Sequence, residues 1–385
     1  MDNQNIVIYA TFSNDGGMKR IADTTFNQNA DDHIVYFLFS DIHLFQENER
    51  FRWIYWNKNE VNYTEDKIKA FQKKVDDQLK SLRGIKCVIG DCFTLPYFDH
   101  LSDISFVYDI HSLSIPLNDV LESDSSYLEI DQYTNYPTAN FLRLERFKFT
   151  KFEYSYLKKS IAYICNSQNT QWYLEKKYSK IIKDKKIFYV PVVSKDNTGY
   201  DKNIEKKFKF YCFSRWHPQK GYHLLLKHHW DIGHLTIRAL SEESFLAEGL
   251  ENLKHKNISL LPWSDDEETL IQNIQQSEVI LFPALYEPFG LALQEALSLG
   301  ALCVAHLNHS GHEEQIQDGI NGFLVDMNSD DFKQKLKEIL HLPEEMKNKI
   351  RSNAKQSFRP SIEDRLSKLN DVFKWLKTQE LINVK

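Results

Sequence analysis

Apolar residues recur along the chain in two rhythms: short unbroken runs of strand length, and longer stretches in which they return every three or four positions. In the first half the short runs are Ile6–Ala10, Ile34–Phe39, Phe51–Trp56, Cys87–Ile89, Ser105–Tyr108, Ile161–Asn166 and Ile187–Pro191. In the second half they are Phe208–Phe213, Thr236–Ala239, Ile258–Leu261, Val279–Phe282 and Leu302–Ala305. Strands apolar on both faces are covered on both faces, as in the parallel sheet of an α/β domain. The helical rhythm predicts helices over Thr64–Leu82, Phe141–Lys159 and Glu363–Leu376, and others starting at Ser167, Tyr222 and Leu291. Ser167 is placed to cap its helix, and Gly300 to stop the one from Leu291. Lys195–Lys207 is polar and lacks apolar periodicity, so a domain boundary falls there, giving domains 1–195 and 196–385.

The stretch Leu281–Gly300 combines a strand, a loop with Glu287 and a helix with Glu295, leaving seven residues between the two carboxylates. Unpaired N–H groups at a helix start attract anions, and ligands of α/β domains bind where strands end and helices begin. One reading is a sugar nucleotide whose diphosphate lies on the N–H groups around Phe289, Gly290 and Leu291. Glu287 would then accept hydrogen bonds from sugar hydroxyls and Glu295 from the ribose diol. The plainer alternative is a solvated loop carboxylate and an exposed helical one. Arg215 and Lys220 occupy a second strand-to-helix loop, Ser214–Gly221, where two cations suit a diphosphate. Near the N-terminus Gly16-Gly17 follows the first strand, but the dinucleotide fingerprint G-x-G-x-x-G is absent, which argues against a nicotinamide enzyme.

Glu287-Pro288-Phe289-Gly290-Leu291 with Glu295-Ala296 closely resembles the donor-site signature of family-4 glycosyltransferases. Gly311, Glu314, Asp318-Gly319 and Asn321–Val325 resemble the segment that follows it, and Arg215 with Lys220-Gly221 resembles the family's Gly-Arg…Lys-Gly motif, with Ser214 replacing the glycine. The resemblance implies an α/β fold of the GT-B type: two Rossmann-like domains with parallel sheets facing each other across a cleft. It implies acceptor binding by the N-terminal domain, donor binding by the C-terminal one, and a final helix that crosses back. It further implies transfer of a hexose from a nucleotide diphosphate sugar with retention of anomeric configuration, UDP-sugars being favoured over GDP-sugars. Gly16 and Gly17 resemble a family loop facing the donor phosphates, a plain turn being the alternative. His111, just past a strand end, matches a histidine that contacts the donor sugar, a structural histidine being the alternative. The polar segment Leu113–Ala139, containing Pro116 and Pro137, is of the kind that holds acceptor contacts. A glycan or lipid-linked acceptor in cell-surface polysaccharide biosynthesis is the family-level expectation. A non-catalytic GT-B partner subunit and a sugar-nucleotide epimerase are the rivals. Val192-Val193-Ser194 stands where the family usually has Asn-Gly-Val-Asp.

Composition narrows this further. At 385 residues two domains are expected, and a net charge of −6 supplies no basic field for nucleic acid. The chain has no Asp-x-Asp pair, so catalysis without a divalent metal is expected, with no cofactor. The five cysteines, Cys87, Cys92, Cys165, Cys212 and Cys303, are odd in number and scattered, which suits small core residues in a reducing compartment. With no long apolar run and no signal-like start, a cytoplasmic protein is expected. Arg143, Arg146, Lys148, Lys151, Lys158 and Lys159 on the Phe141–Lys159 helix suggest either a solvated basic face or contact with anionic membrane. Trp263, past a strand end, suits either base stacking or the core.

Overall fold

The computed structural model describes residues 5–12, 34–40, 50–55, 64–111, 113, 132–133, 152–193, 204–239, 245–264, 266–357 and 360–381. Two parallel sheets organise them. In the first, β1 (Ile6–Phe12), β2 (Ile34–Ser40), β3 (Phe51–Tyr55), β4 (Ile85–Gly90), β5 (Ser105–Ile110), β6 (Ala162–Cys165) and β7 (Lys186–Tyr189) lie in the order β3-β2-β1-β4-β5-β6-β7. In the second, β8 (Phe208–Phe213), β9 (Leu235–Arg238), β10 (Ile258–Leu261), β11 (Ser277–Phe282), β12 (Cys303–His306) and β13 (Phe323–Val325) lie in the order β10-β9-β8-β11-β12-β13. Val7, Ile8, Tyr9 and Ala10 are all buried, as are Val279 through Phe282, so the unbroken apolar runs are central strands covered on both faces.

Helices close these faces through regular stripes. Glu65–Leu79 buries Phe71, Val75 and Leu79, spaced four apart on one face. Gln168–Ile182 begins at Ser167, whose hydroxyl accepts from the Thr170 N–H. Leu291–Ser298 ends where Gly300, at φ +70°, donates to the Leu297 carbonyl. All five cysteines are free and buried, and Cys87 and Cys92 form no bond to each other. Of the basic helix expected over Phe141–Lys159, residues 152–159 are described and helical, and 141–151 lie outside the described residues. In the described part Lys159 pairs with Asp99 at 2.7 Å and Lys158 lies over the Tyr154 ring.

The chain groups by contacts into two units that are not continuous in sequence. One holds Met1–Ser114, Phe147–Val193 and Pro360–Lys385, and the other Ile115–Arg146 and Ser194–Arg359. Within the first unit the last helix, Ile362–Thr378, starts at a reciprocal Ser361–Asp364 capping box. It buries Leu369, Val372, Phe373 and Leu376 in one core with Val7, Tyr9, Ile89 and Val107. Arg365 on this helix donates to the Pro191 carbonyl at 2.9 Å.

Within the second unit Tyr133, from the segment between β5 and β6, is buried beside Phe245 and Leu253. Its carbonyl accepts from the Leu246 N–H at 3.3 Å. Gly249, inside the helix Ala247–His255, explains the fit: a Cβ there would lie 2.8 Å from the Tyr133 Cα and 3.1 Å from the Gln132 carbonyl oxygen. Glycine inside a helix ordinarily costs about 0.5–1 kcal/mol relative to alanine. Here the crowded backbone reverses that sign. Gly249→Ala is therefore expected to destabilise the protein by ~1 kcal/mol or more, seen as a lower urea midpoint with unchanged slope. A rise in the midpoint would show that the Tyr133 segment does not sit against this helix.

Candidate functional site

In an open parallel sheet the ligand crevice lies beyond the carboxyl ends of the strands where the strand order reverses. In the second unit that point falls between β8 and β11, and both loops leaving it carry the predicted residues. After β8 a short 3₁₀ turn, Pro218–Lys220, leads to Gly221 at φ +68°. A Cβ on Gly221 would collide with the Pro283 carbonyl oxygen just past β11, so only glycine lets these loops touch. The contact is reinforced at 2.8 Å from the Leu285 N–H to the Gln219 carbonyl, and at 2.9 Å from the Gln219 amide to the Tyr286 carbonyl.

This docking brings Lys220 Nζ to 2.5 Å from Glu287 Oε2, each side chain 15% exposed. Gly290, at φ +97°, turns the chain into the helix Leu291–Ser298, whose first N–H groups precede the first intrahelical bond, Gln294 to Gly290. Phe289 is buried beneath the turn and Glu295 is half-buried one turn into the helix. Gly311 packs under Pro288 and Phe289, where a Cβ would collide with the Pro288 carbonyl, and its N–H donates to the Glu287 carbonyl at 2.7 Å. The Gln315 amide donates to the Phe289 carbonyl at 2.5 Å. Arg215 is exposed on the same β8 loop.

Burial raises the Glu287 carboxyl, but the positive charge of Lys220 and the hydrogen bond it donates, with a smaller contribution from Arg215, outweigh it and hold the pKa below the ordinary value. Two histidines respond the opposite way. Burial, aided by Arg215 and Lys220, depresses His217 to about 3. Burial, aided by Lys220 and opposed by Glu287, depresses His312 to about 4. Both are neutral near pH 7, so positive charge at the β8 loop stays on Arg215 and Lys220.

The first unit has its own reversal, between β1 and β4, and it too gathers titratable groups. Tyr9 on β1 donates to Asp109 Oδ2 on β5 at 2.5 Å. That same oxygen lies 3.5 Å from His111 Nε2, and the Asn166 amide holds the His111 carbonyl at 2.9 Å. Asp91, just past β4, accepts through Oδ1 from the N–H groups of Phe93 and Thr94 and from the Thr94 hydroxyl. Its Oδ2 and His111 Nδ1 are buried and have no hydrogen-bond partner. Burial pushes Asp91 up to about 6, against the pull of His111.

The structure therefore brings together Arg215, Lys220, Glu287, Phe289, Gly290, Leu291 and Glu295 within one unit, and sets His111 in the other. Gly16 and Gly17 lie outside the described residues. Trp263 is 41% exposed past β10, not part of the core. Sequence reading missed Asp91, Asp109, Tyr9 and His312. The first three show only once the strands are ordered, whereas His312 lay unremarked inside the Gly311-x-x-Glu314 pattern. Among the described residues no cluster of three or more His, Cys, Asp or Glu could hold a metal ion. No described helix is long and apolar enough to cross a membrane.

Two parallel Rossmann-like sheets, with paired charges at the second reversal point, define a chain that resembles GT-B glycosyltransferases. Residues 194–357 match the family described as glycosyl transferases group 1. The chain is 27% identical over 184 residues to the UDP-N-acetylglucosamine–peptide N-acetylglucosaminyltransferase GtfA subunit of Streptococcus pneumoniae, covering 46% of this chain and 36% of that one. It spans less than half the length of the curated relatives it matches. In fold it is similar to sucrose-phosphate synthase of Thermosynechococcus elongatus, with TM-score 0.70 and 14% identity over 97% of this chain and 100% of that chain. It is also similar to HepE of Anabaena, solved with UDP-glucose, with TM-score 0.60 and 16% identity over 97% of this chain and 99% of that chain.

The neutral histidines set a pH dependence. An unfolded histidine titrates near 6.5, whereas folded His312 and His217 stay neutral down to about 4 and 3. Below pH 6.5 the unfolded chain binds protons that the folded one does not, so stability falls as pH falls. For His312 the full loss is on the order of 3 kcal/mol, reached near pH 4. Urea midpoints are expected to drop from pH 7 to pH 5, and less so in His312→Gln. Equal midpoints at both values in the wild-type protein would contradict neutral burial of these rings.

Proposed function

We propose that the protein is a retaining glycosyltransferase of the family-4 kind, moving a hexose from a UDP-sugar to a glycan or lipid-linked acceptor in cell-surface polysaccharide synthesis. The observation that carries this reading is the Lys220–Glu287 pair beside the left-handed Gly290 turn, at the switch point of the segment that matches the glycosyl transferases group 1 family. The diphosphate would lie on the N–H groups at the start of Leu291–Ser298, with Arg215 and Lys220 as its counter-charges. Glu287 would hold the sugar hydroxyls and Glu295 the ribose. The UDP-sugar preference draws support from HepE, solved with UDP-glucose, and from the UDP-N-acetylglucosamine in the name of the pneumococcal relative. Gly16, Gly17 and His111 would serve from the first unit. With no Asp-x-Asp pair, the cations and helix N–H groups neutralise the leaving diphosphate without a divalent metal. The basic face leading into residues 152–159 would rest on anionic lipid at the cytoplasmic side of a membrane, where salt would weaken it.

The mechanism follows from which contacts tighten. As the sugar–phosphate bond lengthens, negative charge grows on the diphosphate, and Arg215 with Lys220 stabilises it. Positive charge grows at the anomeric carbon, beside the hydroxyls held by Glu287. The departing phosphate takes the acceptor's proton on the same face, giving retention. Release of UDP only when acceptor is added distinguishes a transferase from an epimerase or a non-catalytic subunit. Such release, unaffected by EDTA, is the expected result, and proton NMR should show a product of unchanged anomeric configuration. An inverted product, or EDTA inhibition reversed by magnesium, would refute the corresponding part of the mechanism.

Variants separate the roles. Arg215→Ala and Lys220→Ala each remove charge-assisted bonds of about 1.5–3 kcal/mol and should lower transfer ten-fold or more while the protein stays folded. Glu287→Gln should mainly reduce kcat, because its contacts matter as charge develops. Glu295→Gln should mainly raise the donor KM, since the ribose does not react. Near wild-type turnover in Arg215→Ala or Lys220→Ala would place the diphosphate elsewhere, and a reversed split would exchange the two glutamates.

A further inference from the structure

His312 lies at an unspecified position of the Gly311-x-x-Glu314 pattern, yet it is one of the most closely held polar side chains of the second unit, 2% exposed. Its ring stands edge-on to Phe282 of β11, with centroids 5.7 Å apart. On its other side Cδ2 and Nε2 lie 2.6 and 2.9 Å from the point that a Cβ on Gly290 would occupy, and Glu287 Cγ lies 3.2 Å from the same point. The Nε2 edge therefore faces the turn that opens the helix Leu291–Ser298. Nδ1 is wholly buried and has no hydrogen-bond partner. A buried N–H left unpaired costs more than a bare ring nitrogen, so the proton of the neutral ring belongs on Nε2.

We infer that His312 is a donor-binding residue: its Nε2–H hydrogen-bonds the phosphate of the nucleotide-sugar diphosphate that sits at the Gly290 turn, beside the sugar end held by Glu287. The inference rests on the donor-site reading above and adds a residue to it. It accounts together for three features: a buried imidazole whose Nε2 edge faces the turn, a glycine whose missing Cβ leaves room for that ring, and a helix start at the same point. The groups bearing on the ring are Glu287 from the β11 loop, Lys220 from the β8 loop and His306 from β12. Burial keeps His312 uncharged, with Lys220 adding to the effect and Glu287 opposing it. An uncharged donor holds a phosphate without adding a third cation that would slow the release of UDP.

The test is calorimetric titration, at neutral pH, of UDP-glucose, UDP and inorganic pyrophosphate into wild type and into His312→Phe, His312→Gln and His312→Asn. A glutamine amide reaches where Nε2 was and an asparagine amide where Nδ1 was. Loss of a hydrogen bond to a charged phosphate corresponds to about ten-fold or more in Kd. His312→Phe and His312→Asn should weaken all three ligands by that factor, and His312→Gln should recover most of the loss. Unchanged binding in His312→Phe, or rescue by asparagine instead of glutamine, overturns the inference while leaving the donor site intact. A loss confined to UDP-glucose overturns the phosphate assignment, because the contact would then be to sugar. If wild type binds none of the three, both this inference and the donor-site reading fall. Should the variants not fold, histidine-selective nitrogen NMR of the wild type decides. A ring in the Nε2–H form whose Nε2 signal moves with pyrophosphate supports the inference, and the absence of any such ring refutes it.

Discussion

The close approach of Gly221 to the Pro283 carbonyl is the constraint on which the second unit's site depends. No side chain fits there, so the loops after β8 and β11 meet backbone to backbone. Their polar groups are satisfied across the seam by Gln219, Leu285 and Tyr286, and the Asn308 amide takes the carbonyls of Ala284 and Leu285 at 2.6 Å each. Lys220 and Glu287 are then delivered to each other as a consequence of backbone geometry. Such a pair differs from an exposed ion pair worth about 0–1 kcal/mol. Removing one partner strands a mostly buried charge, a cost of roughly 3–5 kcal/mol.

Charge around that pair is limited by burial. Four basic side chains, Arg215, His217, Lys220 and His312, cluster around the β8 loop and the Gly290 turn, and full protonation would make the empty site strongly self-repelling. Burial keeps both imidazoles neutral, with the neighbouring cations adding to the effect. Burial thus limits how much positive charge gathers around the Glu287 carboxylate. The same economy makes the site sensitive to acid, because protons taken up by the unfolded histidines are refused by the folded ones.

How much of this was legible in sequence follows from what kind of group carries each feature. The unbroken runs at Ile6–Ala10 and Val279–Phe282 read as buried parallel strands because apolarity on both faces leaves few other solutions. The loops after β8 and β11 were legible because close approach of backbone and side chains restricts residue choice at Gly221, Gly290 and Gly311. Chain-distant packing was not. Tyr133 belongs to the second unit's core through one buried ring and one carbonyl, and nothing in the polar stretch around it marks that. The helix Glu363–Leu376 was recognisable by its period, but its partners Val7, Tyr9 and Ile89 lie more than three hundred residues earlier in some cases, beyond the reach of pattern.

His111 and its surroundings show the other limit. The cluster is built from side chains on three strands, Tyr9 from β1, Asp91 after β4 and Asp109 from β5, which become neighbours only through the strand order β1-β4-β5. No local spacing rule connects them. Asp109 is fixed by the Tyr9 hydroxyl, and Asp91 by two backbone N–H groups and a hydroxyl, so each carboxylate has one oxygen anchored by the scaffold. His111 Nε2 lies 3.5 Å from the Asp109 oxygen that the Tyr9 hydroxyl fixes. A turn built by close backbone approach leaves glycines as its signature, and a cluster built from side chains leaves ordinary residues scattered through the chain. That difference is why the second unit's loops can be read from a single motif and the first unit's cluster only from the ordered sheet.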